Sequence, residues 1–490
     1  MDYETIIGLE VHAQLQTRSK MYCRCSADYA AAPPNTHVCP VCLGMPGVLP
    51  VINQQAIEYT IMTALALNCT VSDYTRFDRK NYPYPDLMKG YQISQSYVPV
   101  GYNGYLTIDI NDKKKKVGID NVHLEEDVAR LVHRDRPGGE ACSLVDVNRA
   151  GVPLMEIVGE PELRSPEEAR QYLMELRSIL QYLGVSTANM EEGSFRCDAN
   201  ISIRPEGISE LSAKVEVKNM NSFRAVYRAL EYEVRRQIKA AEEGKKLVQE
   251  TRGWVEDSGV TVSQRSKEYA QDYRYFPEPD LPPLVISRDW VEEIKEKLPE
   301  LPEARRQRLV TDYGLSIYDA DLLTVSKTTA DYFEECLVSP ARDLSPREHA
   351  KQVANWIIGE FSHLLNVTNT DVADMVEKVS PGALCDLIQL VSRGDISGTG
   401  AKQVFEEMFN TGKAAGDIVR EKGLSQISDA GELEATVSQV IAENPQALTD
   451  FKAGKEQALK FLVGQIMKAT RGRANPQLVN QLLREKLEGE

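Results

Sequence analysis

The stretch TIIGLEVHAQL, residues 5–15, sets Glu10 and His12 two residues apart behind the apolar Ile6, Ile7 and Leu9. In a strand, residues i and i+2 point to one face, so a carboxylate and an imidazole stand side by side on rigid backbone. Other segments add acids in the same setting. NVHLEEDVAR offers Glu125 or Glu126, and DVNRAGVPLMEIVGEPEL carries Glu156 on what reads as a strand. EEGSFRCDANISIR alternates Asp198, Asn200 and Ser202 onto one face, and KVEVKNMNS does the same for Glu216 and Lys218. Carboxylates on strand faces are costly to bury alone. Several of them around one His call for a cation, and an oxygen-rich set with a single imidazole suits Mg²⁺ or Mn²⁺ better than zinc. Taken one at a time, each is more simply a solvated strand face or an ion pair to Arg149, Arg196 or Lys218.

A second constellation is MYCRCSADYAAAPPNTHVCPVCLG, in which Cys23 and Cys25 form a C-x-C, and Cys39 and Cys42 a C-x-x-C thirteen residues later. Paired knuckles of this kind suit a tetrahedral thiolate site for zinc, and four thiolates close the shell, making it structural. Four unligated thiols are the plain alternative. An iron–sulfur cluster is another, without a redox partner motif to support it. The other five cysteines are scattered singly and read as small apolar residues of a reducing cytoplasm; nine in 490 residues are too few for a disulfide scaffold.

There is no G-x-x-x-x-G-K-[ST] loop and no strand followed by G-x-G-x-x-G, so any nucleotide is held by other means. RKNYPYPDLMKGYQISQ, residues 79–95, interleaves Arg79, Lys80 and Lys89 with tyrosines. It reads either as a grip for phosphate or nucleic acid or as a proline-bent loop with exposed cations.

These groups need a scaffold, and 490 residues are too many for one core. Up to about residue 287 the pattern is mixed, with short alternating strands and two long helices. One helix spans about Ser165–Leu183, with Ser165 and Glu168 as a capping box, Pro166 at its first position and Gly184 beyond its end; the other spans about Ser222–Glu243 and stops at Gly244. YFPEPDLPPLVIS, residues 275–287, reads as a boundary, and from 288 onward the pattern is almost wholly helical, with a second boundary at SRGDISGTG, residues 392–400. The chain is expected to divide into 1–287, 288–405 and 406–490. No apolar run is long enough to cross a membrane, and MDYETIIGLE leads straight into a strand, which reads as no leader peptide. A net charge of −16 argues against a generally nucleic-acid-coated surface. Residues 451–490 nevertheless carry eight Lys/Arg against four Glu, a local excess of +4. Two helices are expected there, EQALKFLVGQIMKAT and NPQLVNQLLREKL, joined by the basic KATRGRAN; this suits phosphate-backbone contact or a solubilising surface equally.

Together IGLEVHAQL, KNYPYPDLMKGYQISQ, HLEED, DVNRAGVPLMEIV, MEEGSFRCDANISIR, EVKNMNSF, DYRYFPEPDLPPL and FLVGQIMKATRGRANPQLVNQLL resemble the B-subunit family of the glutamyl/aspartyl-tRNA amidotransferases, from residue 6 to the C-terminus. The resemblance implies an α+β fold: an antiparallel-sheet cradle with flanking helices, a helical domain and a small YqeY-like helical tail. It implies that ATP phosphorylates the side-chain carboxylate of Glu-tRNA(Gln) or Asp-tRNA(Asn) and that ammonia displaces the phosphate. The ammonia comes from a separate amidase (glutaminase) chain, and a small third chain joins the two large ones into a heterotrimer. It further implies Mg²⁺ on His12, Glu125 and Glu156, a second divalent ion or part of the ammonia path at Glu10, Asp198 and Glu216, zinc on Cys23, Cys25, Cys39 and Cys42, and a tail that contacts tRNA. Lys80, Lys89 and Arg149 are expected to contact substrate, and the complex is expected in the cytoplasm. Two other readings stand beside this one. A metal-dependent, ATP-using ligase on a small acid would need neither basic tail nor long helical domain. A zinc-stapled RNA-binding scaffold without chemistry would not need the acids, which repel phosphate unless a metal intervenes.

Overall fold

The first strand, β1 (Tyr3–Gln14), alternates as its sequence requires: Ile7, Leu9, Val11 and Ala13 are fully buried, while Glu10, His12 and Gln14 keep partial access on the other side. In the computed structural model, residues 3–111, 113–135, 141–208, 213–266, 272–338, 344–368, 370, 372–427, 430–452, 456–470 and 473–488 are described. Lys455, Arg471 and Glu490 of the tail lie outside them. After β1 come α1 (Gln54–Ala66), β2 (Thr70–Val71), β3 (Gly101–Ile110), β4 (Lys113–Glu126), β5 (Pro153–Gly159), α2 (Pro166–Tyr182), β6 (Phe195–Pro205), β7 (Val215–Lys218), α3 (Phe223–Glu242), β8 (Glu250–Val255) and β9 (Val260–Ser266).

The strands form one sheet in the order β9-β8-β7-β6-β1-β5-β4-β3-β2. Its pairings are antiparallel except β7 with β8. Parallel neighbours need a crossover, and α3 supplies it. The apolar alternates of β1 and β6 pack with α1, α2 and α3 into one large core, leaving the polar alternates on the opposite face. This is the expected α+β cradle.

Both long helices form where their signals lie. Ser165 and Ser222 cap them by accepting from the Glu168 and Ala225 amides, and Gly184 and Gly244 adopt positive φ just beyond their ends. The capping box expected at Ser165 forms only by half. The Glu168 carboxylate accepts from the Arg164 amide at 2.7 Å and the Lys115 ammonium at 2.7 Å, so it is not returned to the Ser165 amide.

A small sheet, Phe276–Pro277 beside Asp78–Asn81 beside Tyr91–Ser94, adds to this unit. Leu284–Val285 pairs with Tyr74–Thr75. The proline-rich run 275–287 is thus stitched by strand pairing into a first compact unit, Met1–Leu301. Prolines are compatible with that because these are two-residue edge pairings.

The second unit, Pro302–Glu490, is helical, with a π turn at Ile357–Phe361. It holds two separate cores. One runs from Leu309 to Val419, past the glycine-rich 392–400; the other runs from Leu433 to Leu487. The tail helices form at Glu456–Ala469 and Pro476–Glu488, burying Leu459, Leu462, Ile466, Val479, Leu482 and Leu483. No helix among the described residues is long and apolar enough to cross a membrane.

Candidate active site

The polar face of the sheet carries a cavity of about 510 Å³. Register builds it. His12 on β1 lies opposite Glu156 on β5 and Arg196 on β6; Glu10 lies opposite Asp198, and Asn200 opposite Glu216 on β7. On β4, His123 is opposite Glu156 and Glu125 opposite Leu154. Period-2 alternation therefore brings all six expected acids and imidazole, Glu10, His12, Glu125, Glu156, Asp198 and Glu216, to one cavity wall. It also settles the choice at 125/126. Glu126 turns the other way, taking the Lys89 ammonium and the Ile93 amide.

His12 Nε2 lies 3.6 Å from Glu125 Oε1 and 3.5 Å from Glu156 Oε2. One ligand atom from each of the three lies within 4.8 Å of the others, a grouping able to hold a metal ion. Burial pulls the His12 pKa down, but Glu156 and then Glu125 more than reverse this and push it up to about 9. Burial and the Glu156 charge push Glu125 up. For Glu156 burial acts upward too, yet His12 and His123 hold it well below the usual carboxylate range. The trio balances its charge with a proton on His12, and a divalent ion entering there would displace that proton.

The other half of the cavity is balanced differently. The Lys218 ammonium lies 2.5 Å from Asp198 Oδ2 and 3.3 Å from Glu216 Oε1. Asn200 Nδ2 donates to Glu10 Oε1 at 2.8 Å, and Thr251 Oγ1 to Glu216 Oε2 at 2.7 Å. Glu10, Asp198 and Glu216 line the cavity, but unlike the His12 trio they are not a converging ligand group, and an ammonium lies against Asp198 and Glu216.

Of the expected substrate contacts, Lys80 lines this cavity, its ammonium 5.0 Å from the centroid of the Tyr273 ring. Lys89 and Arg149 do not. Lys89 faces a separate cavity beside the cysteines. Arg149 is spent on the segment that follows Glu126, donating to Val128 O at 2.9 Å and Ala129 O at 3.0 Å and lying 3.6 Å from Asp127 Oδ1. Arg79 is likewise committed, held by Glu278 and Asp280. Arg196, weighed in the sequence only as an ion-pair partner, reaches the cavity and pairs with the buried Asp127 at 3.1 Å. The sequence reading missed His123, Gln92, Tyr82 and Tyr273. His123 precedes Glu125 by two residues, so the alternation that reveals Glu10 and His12 would have found it.

Cys23, Cys25, Cys39 and Cys42 converge, with all four sulfurs within 4.8 Å of one another. Cys39 and Cys42 sulfurs are 3.9 Å apart, near the ~3.8 Å that tetrahedral bonds of about 2.3 Å require. The adjoining Cys23 thiol pushes Cys42 down to about 4 against the effect of burial; the Cys39 amide at 3.2 Å and the nearby Lys20 ammonium assist. This donor set could hold a thiophilic metal.

A family model described as GatB/GatE catalytic domain matches residues 5–292, and one described as GatB domain matches residues 331–487. The B-subunit of the aspartyl/glutamyl-tRNA(Asn/Gln) amidotransferase from Dehalococcoides mccartyi (strain CBDB1) is 59% identical over 487 residues, 99% of each chain. The chain belongs to the GatB family. Proteins of the same name from Carboxydothermus hydrogenoformans and Moorella thermoacetica are 56% and 55% identical, the first over 99% of each chain and the second over 99% of this chain and all of its own. The GatB/GatE catalytic-domain match takes in both the acid-lined cavity and the cysteine knuckle.

Proposed function

We propose that this chain is the ATP-using component of a tRNA-dependent amidotransferase, working in the cytoplasm as a heterotrimer with an amidase chain and a small linking chain. Its substrates are Glu-tRNA(Gln), Asp-tRNA(Asn) or both. The observation that carries the reading is the His12–Glu125–Glu156 grouping in a cavity lined also by Arg196 and Lys218 of the large sheet and by Lys80 of the small one.

The chemistry accounts for that mixture of charges. A carboxylate is a poor acyl donor. One of its oxygens attacks the γ-phosphorus of ATP and ADP departs. Ammonia from the amidase then adds to the acyl carbon, phosphate leaves with the C–O electron pair, and one proton passes from nitrogen to the departing phosphate to give the amide. Both steps ask for positioning and for neutralisation of phosphate charge. His12, Glu125 and Glu156 would hold Mg²⁺, which supplies that neutralisation. Lys80 and Arg196 line the cavity as further phosphate contacts. Lys218 balances Asp198 and Glu216, beside Glu10, and a second divalent ion enters that half only by displacing the ammonium. The adjoining cavity of about 420 Å³ shares Lys80 and Glu156 and is otherwise lined by groups such as Gln95, Asn103, Tyr97 and Tyr102. There we place the nucleoside, whose ring and hydroxyls suit neutral hydrogen-bonding groups and aromatic faces.

Cys23, Cys25, Cys39 and Cys42 hold structural Zn²⁺. The three largest cores support three domains, with the tail gripping tRNA away from its acceptor end. Reconstitution with the amidase and the small linking chain, offered each misacylated tRNA, tests the reading. ADP and amide should form only with charged tRNA, and folded His12→Ala should make neither. ATP cleavage indifferent to charged tRNA, or undiminished in His12→Ala, would overturn it.

A further inference from the structure

Glu156 is the one member of the metal-binding trio that borders both cavities. Its orientation is therefore the most exposed to competition. A terminal carboxylate torsion is broad and soft, so without a second partner Glu156 is free to turn away from the trio. Lys80, which lines both cavities, is the cation waiting to take it.

A second partner is present. His123 Nε2 lies 3.1 Å from Glu156 Oε2, the oxygen that also faces His12. The ring is largely buried, and its other nitrogen, Nδ1, lies 2.7 Å from Asn121 Oδ1. Asn121 is fixed in turn: its amide nitrogen donates to Asp120 Oδ2 at 2.7 Å, which leaves Oδ1 turned to the imidazole. Asp120, Asn121 and His123 follow one another along β4, and the register of β4 on β5 sets His123 directly opposite Glu156. The arrangement runs from the sheet surface through a pinned imidazole to a carboxylate ligand, the form taken by the outer partners that orient metal ligands.

We propose that His123, held by Asn121, is a positioning residue that orients Glu156 and so sets the divalent-ion affinity of the trio. The inference rests on the metal reading above. His123 itself holds no ion, because its nitrogen lies outside the set of converging ligand atoms.

The test is a Mn²⁺ titration of the full chain followed by electron paramagnetic resonance, with His12→Ala defining the signal that belongs to the trio. His123→Ala should weaken that site by about 10–100-fold. His123→Gln, which offers an amide N–H near the same place, should recover part of the loss. Asn121→Ala should weaken it less, and the Asn121→Ala/His123→Ala double variant should be no weaker than His123→Ala alone, because Asn121 acts through the imidazole. Circular dichroism checks folding; should His123→Ala not fold, the Gln and Asn121 variants carry the comparison. Wild-type Mn²⁺ affinity in folded His123→Ala, or strictly additive effects of the two alanines, would overturn the proposal. A wild-type chain with no His12-dependent Mn²⁺ signal would instead overturn the metal assignment beneath it.

Discussion

Lys218→Met should create a divalent-ion site. The ammonium stands between Asp198 and Glu216, so its removal leaves two carboxylates without their cation, with Glu10 opposite Asp198 on the neighbouring strand. A unit positive charge about 4 Å from a divalent ion opposes it by roughly 8 kcal/mol at an effective dielectric near 20. The Lys218 side chain is 35% exposed, so solvent and salt take much of this away. About 1.5–3 kcal/mol should remain, or roughly 10–100-fold in Kd. Calorimetric titration with Mg²⁺ at fixed ionic strength counts the sites. Wild type should show one, lost in His12→Ala, and Lys218→Met should show two, the new one sensitive to Glu10→Gln. Two sites already in the wild type, the second abolished by Glu10→Gln, would refute the reasoning, because the ammonium would then be no barrier.

A metal on the cysteine knuckle would close a loop of about 20 residues, and losing such a cross-link would cost about 3 kcal/mol on chain-entropy grounds. Elemental analysis should find about one zinc per chain, and Cys39→Ser should lower thermal stability far more than turnover per folded molecule. Burial raises the Asp127 pKa, but Arg196 first and Arg149 next hold it below its ordinary value. A depressed folded-state pKa contributes stability that is full above the unfolded value of about 3.9 and is lost as pH falls through the folded one. Arg196→Met should thus cost about 1–3 kcal/mol at neutral pH in urea denaturation, with the gap to wild type closing below about pH 4. For the tail, Lys460→Glu with Lys468→Glu should weaken filter binding of uncharged tRNA and flatten its slope of log K against log salt by up to about two. Charge reversal is cleaner than a cut near Gly400, which would strip Val404, Phe405 and Met408 from the preceding core.

What was legible in the sequence was what is local. Alternation in TIIGLEVHAQL and CDANISIR, serine caps with glycine stops, and C-x-C with C-x-x-C are short-range patterns, and each reappears as a strand face, a helix or a cluster of sulfurs. Choices made by long-range pairing were hidden. Whether Glu125 or Glu126 faces the cavity depends on the register of β4 against β5. Whether Arg79, Lys80 or Lys89 is available depends on which acids of distant segments meet them; Glu278 takes the first and Glu126 the third. Cations interleaved with tyrosines look alike in sequence, and only the fold separates the one that lines the cavity from those spent on structure.

The placement of β1 bears on how the protein is made. β1 is a central strand made before its partners, and β6 spans Phe195–Pro205, so Ile7 meets Ile201 only after about 190 further residues have been synthesised. At translation rates of about 5–20 residues per second, that is a wait of roughly 10–40 s. Until β5 is made, a stretch of Ile, Leu and Val has unpaired backbone on both sides, and from then until β6 is made it stays unpaired on one; the contact that completes it is among the most non-local in the chain. The nascent chain is therefore expected to lean on holding chaperones until residue 205 has cleared the exit tunnel. Codon changes that slow elongation between residues 15 and 195 should lower the soluble yield more than equal delays placed after residue 301.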